Sequence, residues 1–157
     1  MQKRHLFYGL MVILIVFFDQ LTKEVIREKF LLHQSLEIIP KFFNITYVRN
    51  PGAAFGLFAQ SNPQIVKPLF FFIALVALVV MGVIFFKTPD KDRLTQPAMC
   101  LIFSGALGNI IDRLRFGEVI DFLDFYLYSY HWPAFNLADT SISIGVGLFI
   151  ISLIRRG

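Results

Sequence analysis

Two aspartates set the chemical question. Asp139 stands in Phe135-Asn136-Leu137-Ala138-Asp139-Thr140, at the head of an uncharged run from Thr140 to Ile154 that reads as a membrane-crossing helix. An ionisable side chain there is costly in lipid, which points to a task. Asp121 lies upstream in Gly117-Glu118-Val119-Ile120-Asp121-Phe122, a stretch read as a loop. Two partly buried carboxylates held close together resist simultaneous ionisation and share one proton. The ionised member can take a proton from water while the protonated member donates to a carbonyl, which is aspartic-peptidase chemistry. A plain cap by Asp139 is the competing reading, since an acidic residue at a helix start satisfies orphan amides without catalysis.

Other chemistries find fewer residues. Ser104 lies in a glycine-rich run, but no histidine occupies a facing apolar segment, which argues against a Ser–His nucleophile. Neither a His-Glu-x-x-His pair nor a Cys/His cluster is present, so no metal ligand set is expected. Gly117, Asp121 and Asp124 are similar in part to metal-dependent lipid-headgroup transferases, whose earlier Asp-x-x-Asp-Gly element is missing. A small ion-coupled transporter with proton sites at Asp19, Asp112 and Asp139 is a third class. Its weakness is the lack of a mid-membrane helix break in Pro68–Phe86. Asp124 has no evident partner and is expected to be solvated. His5, His33 and His131 are expected at surfaces, and Cys100 packed in an apolar run.

The elements that must carry these residues follow from composition. Of 157 residues, 56% are hydrophobic and only 17% charged, with 19 phenylalanines, against roughly 25% charged in soluble domains. The chain reads as one membrane-embedded domain over 1–157. The formal charge of +4 does not imply nucleic-acid binding, because several of the basic residues mark the ends of apolar runs instead of forming a face. Four helices are expected at about 6–28, 68–86, 98–114 and 135–154, the first uncleaved because no small-residue cleavage site follows it. Lys3/Arg4, Lys87–Arg93 and Arg155/Arg156 sit at alternate ends, which predicts that both termini are cytoplasmic. Between the first two helices, about 36–58 reads as a small β element, with Phe42, Phe43, Phe55, Leu57 and Phe58 placed to rest it on the membrane surface.

Depth can be counted along these helices at 1.5 Å per residue. His5 to Asp19 is ~21 Å, Pro97 to Asp112 ~22 Å, and Arg155 back to Asp139 ~24 Å, which puts all three carboxylates in one layer near the outer side of a ~30 Å core. Asn109, Asp112 and Arg113 share a helix face, with Gly105 and Gly108 close by to permit tight helix approach. Asn136, Asp139, Ser143 and Gly147 are expected to form a stripe on the last helix. Asp19 and Lys23 can pair as i, i+4. Asp112 with Arg113 reads as either an outer cap or a substrate contact. Asp121 is preferred as the partner of Asp139 because Asp19 and Asp112 each have a basic neighbour.

Five motifs occur in order: Asp19-Gln20-Leu21-Thr22-Lys23, Asn50-Pro51-Gly52-Ala53-Ala54-Phe55, Gly105-Ala106-Leu107-Gly108-Asn109-Ile110-Ile111-Asp112-Arg113, Gly117-Glu118-Val119-Ile120-Asp121-Phe122, and Phe135-Asn136-Leu137-Ala138-Asp139. Together they resemble bacterial lipoprotein signal peptidase, signal peptidase II, over nearly the whole chain. The resemblance implies an all-α integral membrane fold with four transmembrane helices and a small extracytoplasmic β element lying on the membrane surface. It implies an aspartic endopeptidase of the bacterial inner membrane, acting near the outer face. Its substrates would be prolipoproteins, cut before a cysteine that carries a diacylglyceryl group. By motif position Asp121 and Asp139 are the catalytic pair. Asn50, Gly52, Asn109, Arg113 and Asn136 bind substrate or orient the pair, and Asp19 and Lys23 support the fold. Neither cofactor nor metal is expected, and the expected partners are the substrate and membrane lipid around a monomer.

Overall fold

The computed structural model describes residues 2–52, 63–89 and 91–155. Its elements are α1 (Gln2–Lys29), β1 (Ser35–Ile39), β2 (Phe43–Asn50), α2 (Pro63–Lys87), α3 (Thr95–Phe116), β3 (Val119–Leu127), β4 (Tyr130–His131) and α4 (Leu137–Ile154). The four expected helices are present, each within a few residues of its predicted bounds. Phe55, Leu57 and Phe58, with the end of the predicted β element, lie outside the described residues.

The helices sort by what surrounds them. α1, α2 and α4 are long and apolar enough to cross a membrane, and they leave large apolar side chains such as Leu6, Phe72, Val79 and Ile150 exposed. α3 is not in that set, because its second half carries Asn109, Asp112, Arg113 and Arg115. It packs against α1, α2 and α4, and thirteen of its 22 residues are buried. A helix enclosed by other helices need not be apolar all round. Near one end of the bundle Ala98, Met99 and Ile102 of α3 pack with Met81, Ile84, Phe85, Leu148 and Phe149.

Close helix approach depends on two glycines of α3. A Cβ at Gly105 would collide with the Ala138 carbonyl, and one at Gly108 would come within 2.5 Å of Asp19 Oδ2. Without those side chains, α1 and the start of α4 reach the α3 backbone itself. The stripe of α4 that meets α3 runs through Ala138, Ser141, Gly145 and Ser152. Ser143 and Gly147, expected on that stripe, are exposed. The extended backbone of Asn136 (φ −135°, ψ −175°) places it outside the helix. The stripe through Ser143 and Gly147 lies two residues past the face through Ser141 and Gly145 that packs on α3.

The all-α expectation needs correction, because 117–134 is not simply a loop. Gly117, at φ +75°, ends α3 with its N–H on the Arg113 carbonyl, a left-handed turn that glycine adopts without strain. β3 then starts at Val119 and joins an antiparallel sheet of order β1-β2-β3-β4. Its run Val-Ile-Asp-Phe-Leu-Asp-Phe-Tyr-Leu is apolar and aromatic enough for a strand, and two aspartates disguise it. The β2–β3 register pairs Asn50 with Val119, Val48 with Asp121 and Asn44 with Asp124, with a bulge between Ile45 and Val48. Ile26 of α1 packs with Tyr47, Ile120 and Phe122, which fixes the sheet on the bundle end.

Candidate active site

α4 begins with a reciprocal cap. The Asn136 Oδ1 accepts from the Asp139 N–H at 2.9 Å, and Asp139 Oδ2 accepts from the Asn136 N–H at 3.3 Å. Asp139 thus does contribute to a capping box, and the N-cap itself is Asn136. The remaining Asp139 oxygen, Oδ1, accepts from Asn109 Nδ2 at 2.8 Å. A third orphan amide, Ala138 N–H, donates across the bundle to Asp19 Oδ1 at 2.9 Å. Helix start and carboxylate are therefore fixed by one set of bonds.

Asp121 approaches from the sheet. It is 2% exposed, and its two oxygens accept from Asn136 Nδ2 at 2.7 Å and Asn50 Nδ2 at 3.0 Å. Burial first, and then the charge of Asp139, push its carboxyl up to about 7. The Asn136 side chain therefore binds Asp121 by its amide nitrogen and the Asp139 backbone by its oxygen. Asn50 is oriented in turn by Gly52, whose N–H donates to Asn50 Oδ1 at 2.9 Å. With both carbonyl oxygens occupied, the amide NH2 groups of Asn136 and Asn50 are the ends left for Asp121.

Beneath the pair lies a buried charge cluster. Lys23 Nζ contacts Asp19 Oδ2 at 2.9 Å, Asp112 Oδ2 at 3.0 Å and Asn109 Oδ1 at 3.1 Å. Asp112 also accepts from Gln20 Nε2 at 2.9 Å and from the Ile120 N–H at 3.1 Å. The carboxylates of α1, α3 and α4 therefore share one layer, as their counted depths require. Asp112 is not partnered by the adjacent Arg113; successive helix residues do not face each other. It anchors β3 one residue before Asp121.

A buried and a half-buried carboxyl on different elements, the first raised by its burial and by the charge of the second, can divide the work of acid and base. The chain matches the family model described as signal peptidase II over residues 11–155. It belongs to the signal peptidase II family. It is thus an aspartic peptidase and a multi-pass membrane protein. A protein of Syntrophus aciditrophicus named lipoprotein signal peptidase is 49% identical over 146 residues, 91% of this chain and 89% of that one. One of Geobacter sulfurreducens with the same name is 50% identical over 138 residues, 88% and 85% of the two chains. A solved bacterial membrane enzyme has a TM-score of 0.83 at 41% identity, covering 96% of this chain and 94% of its own.

Around this peptidase's carboxyl pair, Asn50, Gly52, Asn109 and Asn136 are all brought together. Arg113 stands apart from the hydrogen-bonded set. Its Nη1 reaches the Asn109 carbonyl at 3.3 Å, it feels the charges of Asp139 and Asp121, and its Nε is buried without a partner. Asp124 is not solvated, contrary to expectation: it is 8% exposed, accepting from Asn44 Nδ2 at 2.9 Å and bonded to His131 Nδ1 at 2.8 Å. Strand register creates that contact, and no local motif announces it. Gln20 was not singled out either, although it links Asp19, the Gly108 carbonyl and Asp112. Its place directly after Asp19 in an apolar helix is the signal that could have found it.

Proposed function

We propose that this protein removes signal peptides from prolipoproteins, hydrolysing the bond before a diacylglyceryl-modified cysteine with Asp121 and Asp139 activating water. The observation that carries this reading is the shared Asn136, whose side chain donates to the Asp121 carboxyl on β3 while its backbone N–H donates to the Asp139 carboxyl in the first turn of α4. The names of the relatives support the substrate class. Asp121, whose carboxyl is raised to about 7 by burial and by the charge of Asp139, acts as the acid of the pair. It donates to the scissile carbonyl as negative charge develops there. Asp139, in the first turn of α4 where the helix dipole favours an anion, takes the proton from water as that water attacks the carbon. Asp139 then passes its proton to the leaving amine as the C–N bond breaks, while Asp121 recovers a proton from a hydroxyl of the tetrahedral intermediate, so the pair returns to a single shared proton.

Asn50, Asn109 and Asn136 act as orienting groups in this scheme, Gly52 sets Asn50, and Asp19 with Lys23 holds the layer beneath. Arg113, with an unused buried donor, contacts the substrate backbone or its ester carbonyls. The reading extends to placement. The chain is a single peptidase domain in the bacterial cytoplasmic membrane, with α3 as a fourth span, about 33 Å long at 1.5 Å per residue. Both termini are cytoplasmic, as the basic flanks suggest. The exposed Leu36, Ile38, Ile39 and Phe42 rest the sheet on the outer surface, where Trp and Tyr side chains such as Trp132 and Tyr130 favour the interface. A monomer suffices, since one chain carries both carboxyls.

The test is cleavage of lipidated and non-lipidated precursors side by side by wild type, Asp121→Asn and Asp139→Asn, with and without chelator. Cleavage of the lipidated precursor alone, insensitive to chelator and lost in both variants, is expected. Normal turnover by either variant would sink the pair. Sensitivity to chelator would favour a metal mechanism instead.

A further inference from the structure

We propose that the cleft between α1 and α2, at the bundle end remote from the aspartates, binds an acyl chain of an anionic phospholipid in that leaflet. Among the described residues the backbones of α1 and α2 each approach α3 and not one another, and the two helices meet only through side chains, His5 and Tyr8 of α1 against Phe85 and Phe86 of α2. The gap contains a cavity of about 260 Å³ lined by Gly9, Val12, Gly82, Phe85, Met99 and Phe103, among others. The space is open at both walls, since a Cβ at Gly9 or Gly82 would meet nothing within 4 Å. Met99 and Cys100 close the floor, while Gly9 is exposed and leaves the side facing lipid open.

Depth and charge name the occupant. Gly9 and Val12 lie ~6 and ~10 Å along α1 from His5, so the cleft begins just below a headgroup layer. His5 packs its ring against Phe85 and Phe86 at the mouth, with centroids 6.0 and 6.4 Å apart. Exposed Lys87 ends α2, and Arg4, which also holds the Asp92 carbonyl at 3.1 Å, stands on α1 beside Tyr8. A basic rim over an apolar slot between membrane helices matches an anionic headgroup with a chain below it. A helix with side chains is about 10 Å across, too wide for a space of this volume, whereas a hydrocarbon chain fits.

Native mass spectrometry of the purified protein with phosphatidylglycerol or phosphatidylcholine tests this apart from any cleavage assay. One saturable phosphatidylglycerol adduct is expected, at least fivefold more populated than the phosphatidylcholine adduct. Gly82→Leu and, separately, Gly9→Leu should reduce it at least fivefold, and Lys87→Gln should reduce the preference between the lipids. Equal binding of the two lipids, an adduct unchanged in both leucine variants, or a protein dimer that the leucine variants disrupt would each overturn the assignment.

Discussion

Lys23 Nζ lies 3.1 Å from Asn109 Oδ1, and that contact decides which end of the Asn109 amide faces Asp139. An amide can point either way at a carboxylate, but only its NH2 end binds one. A cation on the oxygen leaves the nitrogen for Asp139 Oδ1 at 2.8 Å. The charge cluster and the carboxyl pair are thus one network, with Asn109 as the joint.

Removing the cation should therefore cost stability as well as rate. Lys23 is 2% exposed between Asp19 and Asp112, both fully buried. Lys23→Met leaves two carboxylates unpaired, for which a loss of about 3–5 kcal/mol is expected. Thermal unfolding in detergent would measure it. The triple variant Lys23→Met/Asp19→Asn/Asp112→Asn should recover part of that loss, because neutral side chains no longer need the cation.

Asn109→Ala separates orientation from binding. Asp139 keeps its capping bond to the Asn136 amide but loses the bond that aims its other oxygen. Misplacing a catalytic group by about 1 Å can cost about 10²-fold in rate. kcat should fall by about that factor with KM little changed. A KM rise at constant kcat would instead make Asn109 a substrate-binding group.

The pH profile tests the proton assignment. Burial and Asp139 raise the Asp121 carboxyl to about 7, so the folded protein binds a proton over the interval in which the unfolded carboxyl has already lost it. Asp121 thus favours folding below about pH 4 and loses that contribution as pH rises through about 7. Cleavage, which needs the pair's single proton, should decline above an apparent midpoint near 7 that belongs to the pair. Asn50 donates to the ionised form and lowers the value. Asn50→Ala should therefore move the basic limb to higher pH while reducing the maximal rate, and a downward move would contradict the assignment.

How much of this was readable from the chain depended on how local each cause is. The counted depths put Asp19, Asp112 and Asp139 in one layer, where Lys23 and Gln20 join the first two and Asn109 links Lys23 to the third. Rise per residue is a backbone constant, so helix depth survives ignorance of packing. Partner choice did not survive it. Asp112 was set aside as the partner of Arg113, yet it binds Lys23 on another helix and the Ile120 amide. Asp124 lacked a visible partner because Asn44 reaches it only through the β2–β3 register, and His131 through the turn into β4. β3 itself was obscured by Asp121 and Asp124, two charged residues in an otherwise apolar strand. The stripe expected on α4 through Ser143 and Gly147 lies two residues past the one that meets α3 through Ser141 and Gly145.

Gly52 offers the most local test of the site. It is buried at φ +115°, with its N–H holding Asn50 Oδ1 at 2.9 Å, and a Cβ there would stand 2.8 Å from the Phe70 ring. Two penalties therefore meet in Gly52→Ala: a backbone conformation that costs side-chain-bearing residues about 1–3 kcal/mol, and a collision with Phe70. If the turn relaxes, Asn50 loses the bond that orients its amide, and Asp121 loses a donor. Cleavage should fall at least tenfold, with the basic limb of the pH profile moving upward as in Asn50→Ala. Phe70→Ala removes the collision but not the backbone penalty, so the double variant should regain only part of the activity. Full recovery in that double variant would show that space against Phe70, and not the left-handed turn, is what this glycine provides.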